Sequence, residues 1–284
     1  MSLKEDFQKA LLKIDELYPT PAVMAKSIQI MKDPNLEVSN LVALLRTDSS
    51  LTAEIIKVSN SAYYGFATEC TNLASAINRV GFYEVIRILN KSISKSILSR
   101  DLDCYGITSE EYWGKSAATA ILMEKVAELI GEDPNDAYTI GILHAIGRVL
   151  INQLINEFGF GVFWDNVMPI EEWEIETVGF NYTYAGSVLL KRWNFPNNTC
   201  GTILNQNSAE TTKKTSPMLA ALQFSTELIA QTGDDFSKRE LNIPEDSPFL
   251  TPFNFNVDTV KSLVENSHHA FVELKHEMGI STEK

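Results

Sequence analysis

The chain is short of cysteine, of basic residues and of hairpin-turn signals, and each shortage closes off a class of function. Three cysteines, Cys70, Cys104 and Cys200, are odd in number and far apart in 284 residues. No CxxC or CxxxH pairing occurs, so neither a disulfide framework nor a zinc finger is readable. Lysine plus arginine number 24 against 37 aspartates and glutamates, a net charge of −13. A chain that acidic lacks the basic footprint of a nucleic-acid or anionic-membrane binder, so neither partner is expected, although a small local basic patch remains compatible. The N-terminal stretch MSLKEDFQKALLKIDEL is charged throughout and has no h-region, and no 18-residue apolar run is seen. No signal peptide or spanning helix is therefore expected, and a reduced cytoplasm is the default compartment. No Asn-Gly or Asp-Gly joins two alternating segments, which leaves little strand evidence. Phosphate-loop, dinucleotide and nucleophile-elbow patterns are missing too.

What remains is an ordinary globular composition, 44% hydrophobic and 10% aromatic, long enough to bury a sizeable core. Its hydrophobic period is helical nearly everywhere. Ser2 with Glu5 and Thr108 with Glu111 read as capping boxes. Thr20-Pro21 and Asp133-Pro134 read as cap-plus-proline helix starts. The segment 51–65 reads as a helix closed by Gly65, and the Asp133-Pro134 helix as one element running to about Gly159. A long helix is expected after Gly81, through Val85, Leu89, Ser92 or Ile93, and Ser96 or Ile97. The acidic run Glu171–Glu176 reads as a solvated face. The fold class is all-α, a single compact multi-helix domain over residues 1–232. A loop rich in Pro, Asp and Asn then leads, within 233–284, to a last helix near 258–278 that packs back on the core.

The most informative stretch is Gly141-Ile-Leu-His144-Ala145-Ile-Gly147-Arg148. A histidine among apolar residues reads first as a hydrogen-bonded core residue, second as a metal ligand or general base. The flanking glycines suit close helix approach better than a phosphate cradle. The adjacent His268 and His269 point about 100° apart on a helix and cannot easily grip one ion. The four tryptophans read as packing, and Tyr63-Tyr64 as internal packing more than a partner-facing pair.

GILHAIGRVLI resembles the G-L-L-H-D-I-G helix of the HD superfamily of metal-dependent phosphohydrolases. Five further segments, at 17–34, 48–65, 76–89, 112–120 and 179–196, resemble the HDOD family of bacterial signalling proteins, in the family's order. The box Asn60-Ser61-Ala-Tyr63-Tyr64-Gly65 and the run from Gly179 to Pro196 are specific together. The resemblance implies an all-α, HD-like helical core and marks Asn60, Ser61, Tyr63, Tyr64 and Gly65 as a family-signature or interaction box.

The departures from the HD pattern matter more. The resemblance implies a histidine where Lys115 stands, an aspartate at Ala145, a histidine at Tyr182 and a His-His pair at Gln206-Asn207. A late aspartate falls nearest Ser225 or Thr226. Of the implied metal set only His144 survives, too few donors for a divalent ion. No cofactor and no catalytic residue is expected. Three readings follow. The first is a non-catalytic signal-transduction output module that binds a signalling or regulatory protein. The second is a divergent phosphohydrolase acting on a nucleotide or cyclic dinucleotide. The third is a sensor whose vacated pocket, with Lys115, His144, Tyr182 and Gln206, takes an anionic small ligand.

Overall fold

The computed structural model describes residues 3–12, 38–82, 84–85, 88, 101–158, 161–208, 216–233, 236 and 253–278. Among them the regular elements are all helical, and the only β pairing is an isolated bridge between Leu102 and Ile107. The fold is all-α, as the periodicity requires. The expected Ser2 cap, the helix starting at Thr20-Pro21, most of the helix after Gly81 and most of the 233–256 loop lie outside the described residues.

In chain order the helices are α1 (Leu3–Leu11), α2 (Val38–Leu45), α3 (Ser49–Ser59), α4 (Leu73–Val80), α5 (Ser109–Ile130) and α6 (Pro134–Leu143). Then come α7 (Ile146–Phe158), α8 (Ile170–Val178), α9 (Tyr182–Arg192), α10 (Asn197–Asn205), α11 (Pro217–Thr232) and α12 (Val257–Met278). Their starts follow local chemistry. Asp48 accepts from Leu51 N–H to cap α3. Thr108 and Glu111 form the expected reciprocal box on α5. Asp133 accepts from Asn135 and Asp136 N–H with Pro134 in the first turn of α6. Such caps satisfy backbone donors the helix cannot, each contributing about 1 kcal/mol.

Two helix expectations need correcting. α3 ends at Ser59, not at Gly65; Gly65, at φ 62°, closes a separate 3-10 turn over Ala62–Tyr64. The stretch from Asp133 to Gly159 is two helices, broken at His144-Ala145. At the break the Gly141 carbonyl, which would serve a continuing helix, takes the His144 ring Nδ1–H at 2.7 Å. The ring supplements the long 3.5 Å bond that the His144 backbone N–H makes to the same carbonyl, and a side chain entering the backbone ladder is a recognised cause of a sharp bend.

The core is organised around α5, whose small residues Ala117, Ala118 and Ala120 are fully buried. Gly141 of α6 comes so near α5 that an added Cβ would lie 2.5 Å from the Ala120 Cα. Gly147 of α7 is as tight against α9. Both glycines are therefore contact points between helices. The expectation of no span-length apolar stretch also needs amending. Pro134–Phe158 is long and apolar enough by composition to cross a membrane, yet 83% of that apolar window is buried inside the bundle. α12 lies along α5, with Phe271 stacked on Trp113 at 5.9 Å.

Candidate functional site

The break after Leu143 opens one side of the core. A cleft of about 290 Å³ lies there, lined by Tyr105, Tyr112, Lys115, His144, Arg148 and Trp164 among others. α5 supplies Tyr112, Lys115 and Ser116 as successive-turn positions, and the α6–α7 break supplies His144, Ala145 and Arg148. The loop before α8 closes the far wall: the Trp164 indole N–H donates to the Met168 carbonyl at 2.8 Å, and its backbone N–H to Cys104 at 2.7 Å.

His144 is 5% exposed. Its Nδ1 faces a carbonyl, which only accepts, so Nδ1 carries the proton and Nε2 keeps a lone pair. Nε2 makes no hydrogen bond among the described residues. Burial, with Arg148 and Lys115 adding positive charge nearby, pulls the imidazole down to a pKa of about 4. The ring is therefore neutral at neutral pH.

Arg148 is the principal residue the motif comparison overlooked. It stands four residues after His144, across the helix break and on the wall of the same cleft, and its guanidinium lies over the Tyr182 ring at 4.4 Å. It has no ion-pair partner among the described residues, and its buried Nε has no hydrogen-bond partner there. Lys115 is exposed at the cleft's rim.

Behind the cleft lies a polar layer. Glu174 has no exposed surface and accepts from the Tyr105 hydroxyl at 2.9 Å and from the Tyr182 backbone N–H at 2.7 Å. The second bond comes from the first turn of α9, where a carboxylate is favoured by the helix dipole. Burial outweighs both bonds and raises the Glu174 carboxyl to about 7. The reading of Glu171–Glu176 as wholly solvated is thus corrected at Glu174. The spacing could have shown it: Ile170, Glu174 and Val178 fall on one stripe.

The sequence-derived pocket residues divide between these layers. Lys115, His144 and Ala145 line the cleft. Tyr182 lies under Arg148, and its hydroxyl exchanges hydrogen bonds with Asn207. Gln206 spends its amide N–H groups on the carbonyls of His144 and Ile203, at 2.8 and 2.9 Å. Tyr182 and Gln206 therefore brace the cleft from behind. Ser225 is buried in α11, and His268 and His269 sit on α12 with ring centres 6.2 Å apart.

A divalent ion bound in the HD manner needs several converging imidazoles and carboxylates. The cleft offers one imidazole and one carboxylate, Glu111, which accepts from Thr108, and the two side chains flanking the imidazole, Lys115 and Arg148, are cations that would repel the ion. Among the described residues no three His, Cys, Asp or Glu side chains cluster closely enough to hold a metal. The donor set does not fit such an ion.

The Asn60 box separates into a clip and a surface. Asn60 Oδ1 accepts from Cys70 N–H at 2.6 Å, while Nδ2 donates to the carbonyls of Cys70 and Asn194. One side chain thus ties the end of α3 to two other segments, which explains why an amide stands there. Ser61 precedes the 3-10 turn without a side-chain cap. The packing expectation for the tyrosine pair is corrected for Tyr63, which is 87% exposed beside a half-exposed Phe66; Tyr64 is half-buried against it. The turn tightened by Gly65 projects Tyr63 outward instead of folding it onto α3.

Comparison with known proteins agrees with this architecture. The family model for the HDOD domain matches residues 17–209. An uncharacterized protein of Treponema pallidum is 22% identical over 218 residues, 75% of this chain and 42% of the relative. The chain thus spans less than half the length of that curated relative. The MmoQ response regulator of Methylococcus capsulatus superposes with a TM-score of 0.67 at 17% identity, covering 88% of this chain and 98% of that one. A virulence factor of Campylobacter jejuni superposes with a TM-score of 0.67 at 20% identity, covering 94% and 97%. At these identities the likeness to solved structures is one of fold.

Proposed function

The chain belongs to the HDOD domain family, and from that membership we propose that it is a non-catalytic signalling module that works by binding a regulatory protein. The observation that carries this reading is the chemistry around His144: one neutral imidazole between two cations, where phosphoester hydrolysis by an HD site would need a cage of metal donors. A response regulator shares the fold, which supports a signalling role without naming the partner. Tyr63 and Phe66 supply exposed aromatic surface of the kind that anchors protein interfaces. Asn60 holds the base of that turn rigidly, so the aromatic pair is presented with little entropy to lose.

A photo-crosslinking amino acid placed at Tyr63, in the cells that carry the protein, tests this. The reading expects a discrete adduct with a signalling or regulatory protein, reduced by Phe66→Ala. No adduct, together with metal-dependent turnover of a nucleotide or cyclic dinucleotide by the purified chain, would contradict it.

A further inference from the structure

We propose that the cleft beside His144 binds a small organic oxyanion carried on a flat ring, with Arg148 and Lys115 holding the charged end. The inference deepens the metal-free reading of this site and rests on it. The protein has 37 acidic residues against 24 basic ones, so a cation here has carboxylates in excess to choose from. Yet among the described residues neither Arg148 nor Lys115 pairs with one, and both line the same cleft. Arg148 is already oriented: the Tyr182 ring supports its guanidinium from one side, and Asn207 fixes the Tyr182 hydroxyl. A planar guanidinium held in this way suits a carboxylate or phosphoryl group, which can take two parallel N–H donors.

The rest of the cleft indicates what the anion is attached to. Tyr105, Tyr112 and Trp164 supply aromatic walls, and the Trp164 indole is fixed by its bond to Met168. About 290 Å³ sits at the small end of ligand pockets, which run from about 300 to 1,000 Å³. That favours one ring with one charged group over a larger ligand. The neutral His144 Nε2 has a lone pair that can accept a hydrogen bond, which suits a hydroxyl or a protonated phosphoryl oxygen. One carboxylate, Glu111, also lines the cleft. It is committed to Thr108, accepting from both the N–H and the hydroxyl at 2.9 and 2.8 Å. Glu174 lies deeper, bonded to Tyr105 and to the first turn of α9; the Arg148 charge favours its ionised form, but the two are not within ion-pair distance.

The test is calorimetric titration of the full chain with phenyl phosphate, benzoate, inorganic phosphate and phenol, in EDTA, at low and at physiological salt. The expected order has both ringed anions above inorganic phosphate and phenol lowest, with affinity falling as salt rises. Arg148→Gln should weaken the ringed anions about tenfold or more, the loss expected for one charge-assisted hydrogen bond. Lys115→Glu, on an exposed position, keeps the fold and should also weaken them, while Lys261→Glu on α12 should not. Equal affinity for phenol and phenyl phosphate, or an unchanged affinity in Lys115→Glu, would overturn the proposal. Binding seen only when a divalent metal replaces EDTA would overturn the metal-free reading instead. That outcome separates the two failures.

Discussion

Replacing Gly147 by alanine is expected to lower stability by about 3 kcal/mol or more, at or beyond the upper end of overpacking losses. A Cβ there would run into the Tyr182 carbonyl oxygen and stand 2.8 Å from the Gly186 nitrogen. Both obstacles are backbone, so no side-chain rotation relieves the clash. α7 and α9 must move apart, and Gly186 itself packs closely on Ile146 and Ile203. Since small proteins hold only about 5–15 kcal/mol in total, little folded protein should survive mild denaturant. Gly201→Ala is the matched control. It lies within α10 with nothing near its added Cβ, and should be neutral or gain up to about 1 kcal/mol from helix propensity. Urea midpoints compare the two, and an unshifted midpoint for Gly147→Ala would refute the close contact.

The second large effect is a pair of opposed pH dependences hidden in the wild-type chain. Glu174 has its carboxyl raised to about 7 from an ordinary 4.5, chiefly by burial. A raised acid contributes stability below its unfolded value, and that contribution is lost as pH climbs through the folded one. Glu174 therefore destabilises progressively from pH 4.5 to about 7, by about 3 kcal/mol in all. His144 is lowered to about 4 from 6.5, again chiefly by burial. A depressed base contributes stability above its unfolded value, lost as pH falls through the folded one. His144 therefore stabilises progressively as pH rises from about 4 to 6.5, by a similar amount. Each proton corresponds to about 1.4 kcal/mol per pH unit, so between 4.5 and 6.5 the two nearly cancel.

Single substitutions should expose them. Relative to wild type, the stability of Glu174→Gln should rise by about 3 kcal/mol between pH 4.5 and 7. That of His144→Gln should fall, relative to wild type, by about the same between pH 4 and 6.5. Denaturant unfolding across that range measures both. Two flat differences would mean that neither group is titrated by its burial.

Much of the fold was legible because local chemistry and the global pattern agree. The Thr108–Glu111 box and the Asp133 cap fall where those residue types announce them. The break at His144 was not legible. GILHAIGRVLI carries apolar residues all round, so its period runs on unbroken; the bend lies where the His144 ring takes the Gly141 carbonyl, between two glycines pressed against different helices, Ala120 on one side and Tyr182 on the other. The structure brings Lys115, His144 and Ala145, all singled out by the motif resemblance, to one cleft. Tyr182 and Gln206 brace the cleft from behind, held by hydrogen bonds to Asn207 and to the His144 carbonyl. Arg148 and Glu174 were missed for opposite reasons. Arg148 lay outside the pattern of implied metal ligands. Glu174 was absorbed into an acidic run whose helical period, read with Ile170 and Val178, would have placed it inward.

A non-catalytic role requires that the centre of this bundle hold no catalytic ion. Elemental analysis of the full chain, purified without chelator and compared with His144→Ala, addresses that directly. The cation-lined cleft predicts transition-metal content far below one equivalent, unchanged by the substitution. Near-stoichiometric manganese, iron, nickel or zinc that vanishes with the His144 imidazole would contradict it, and the non-catalytic reading would fall with it.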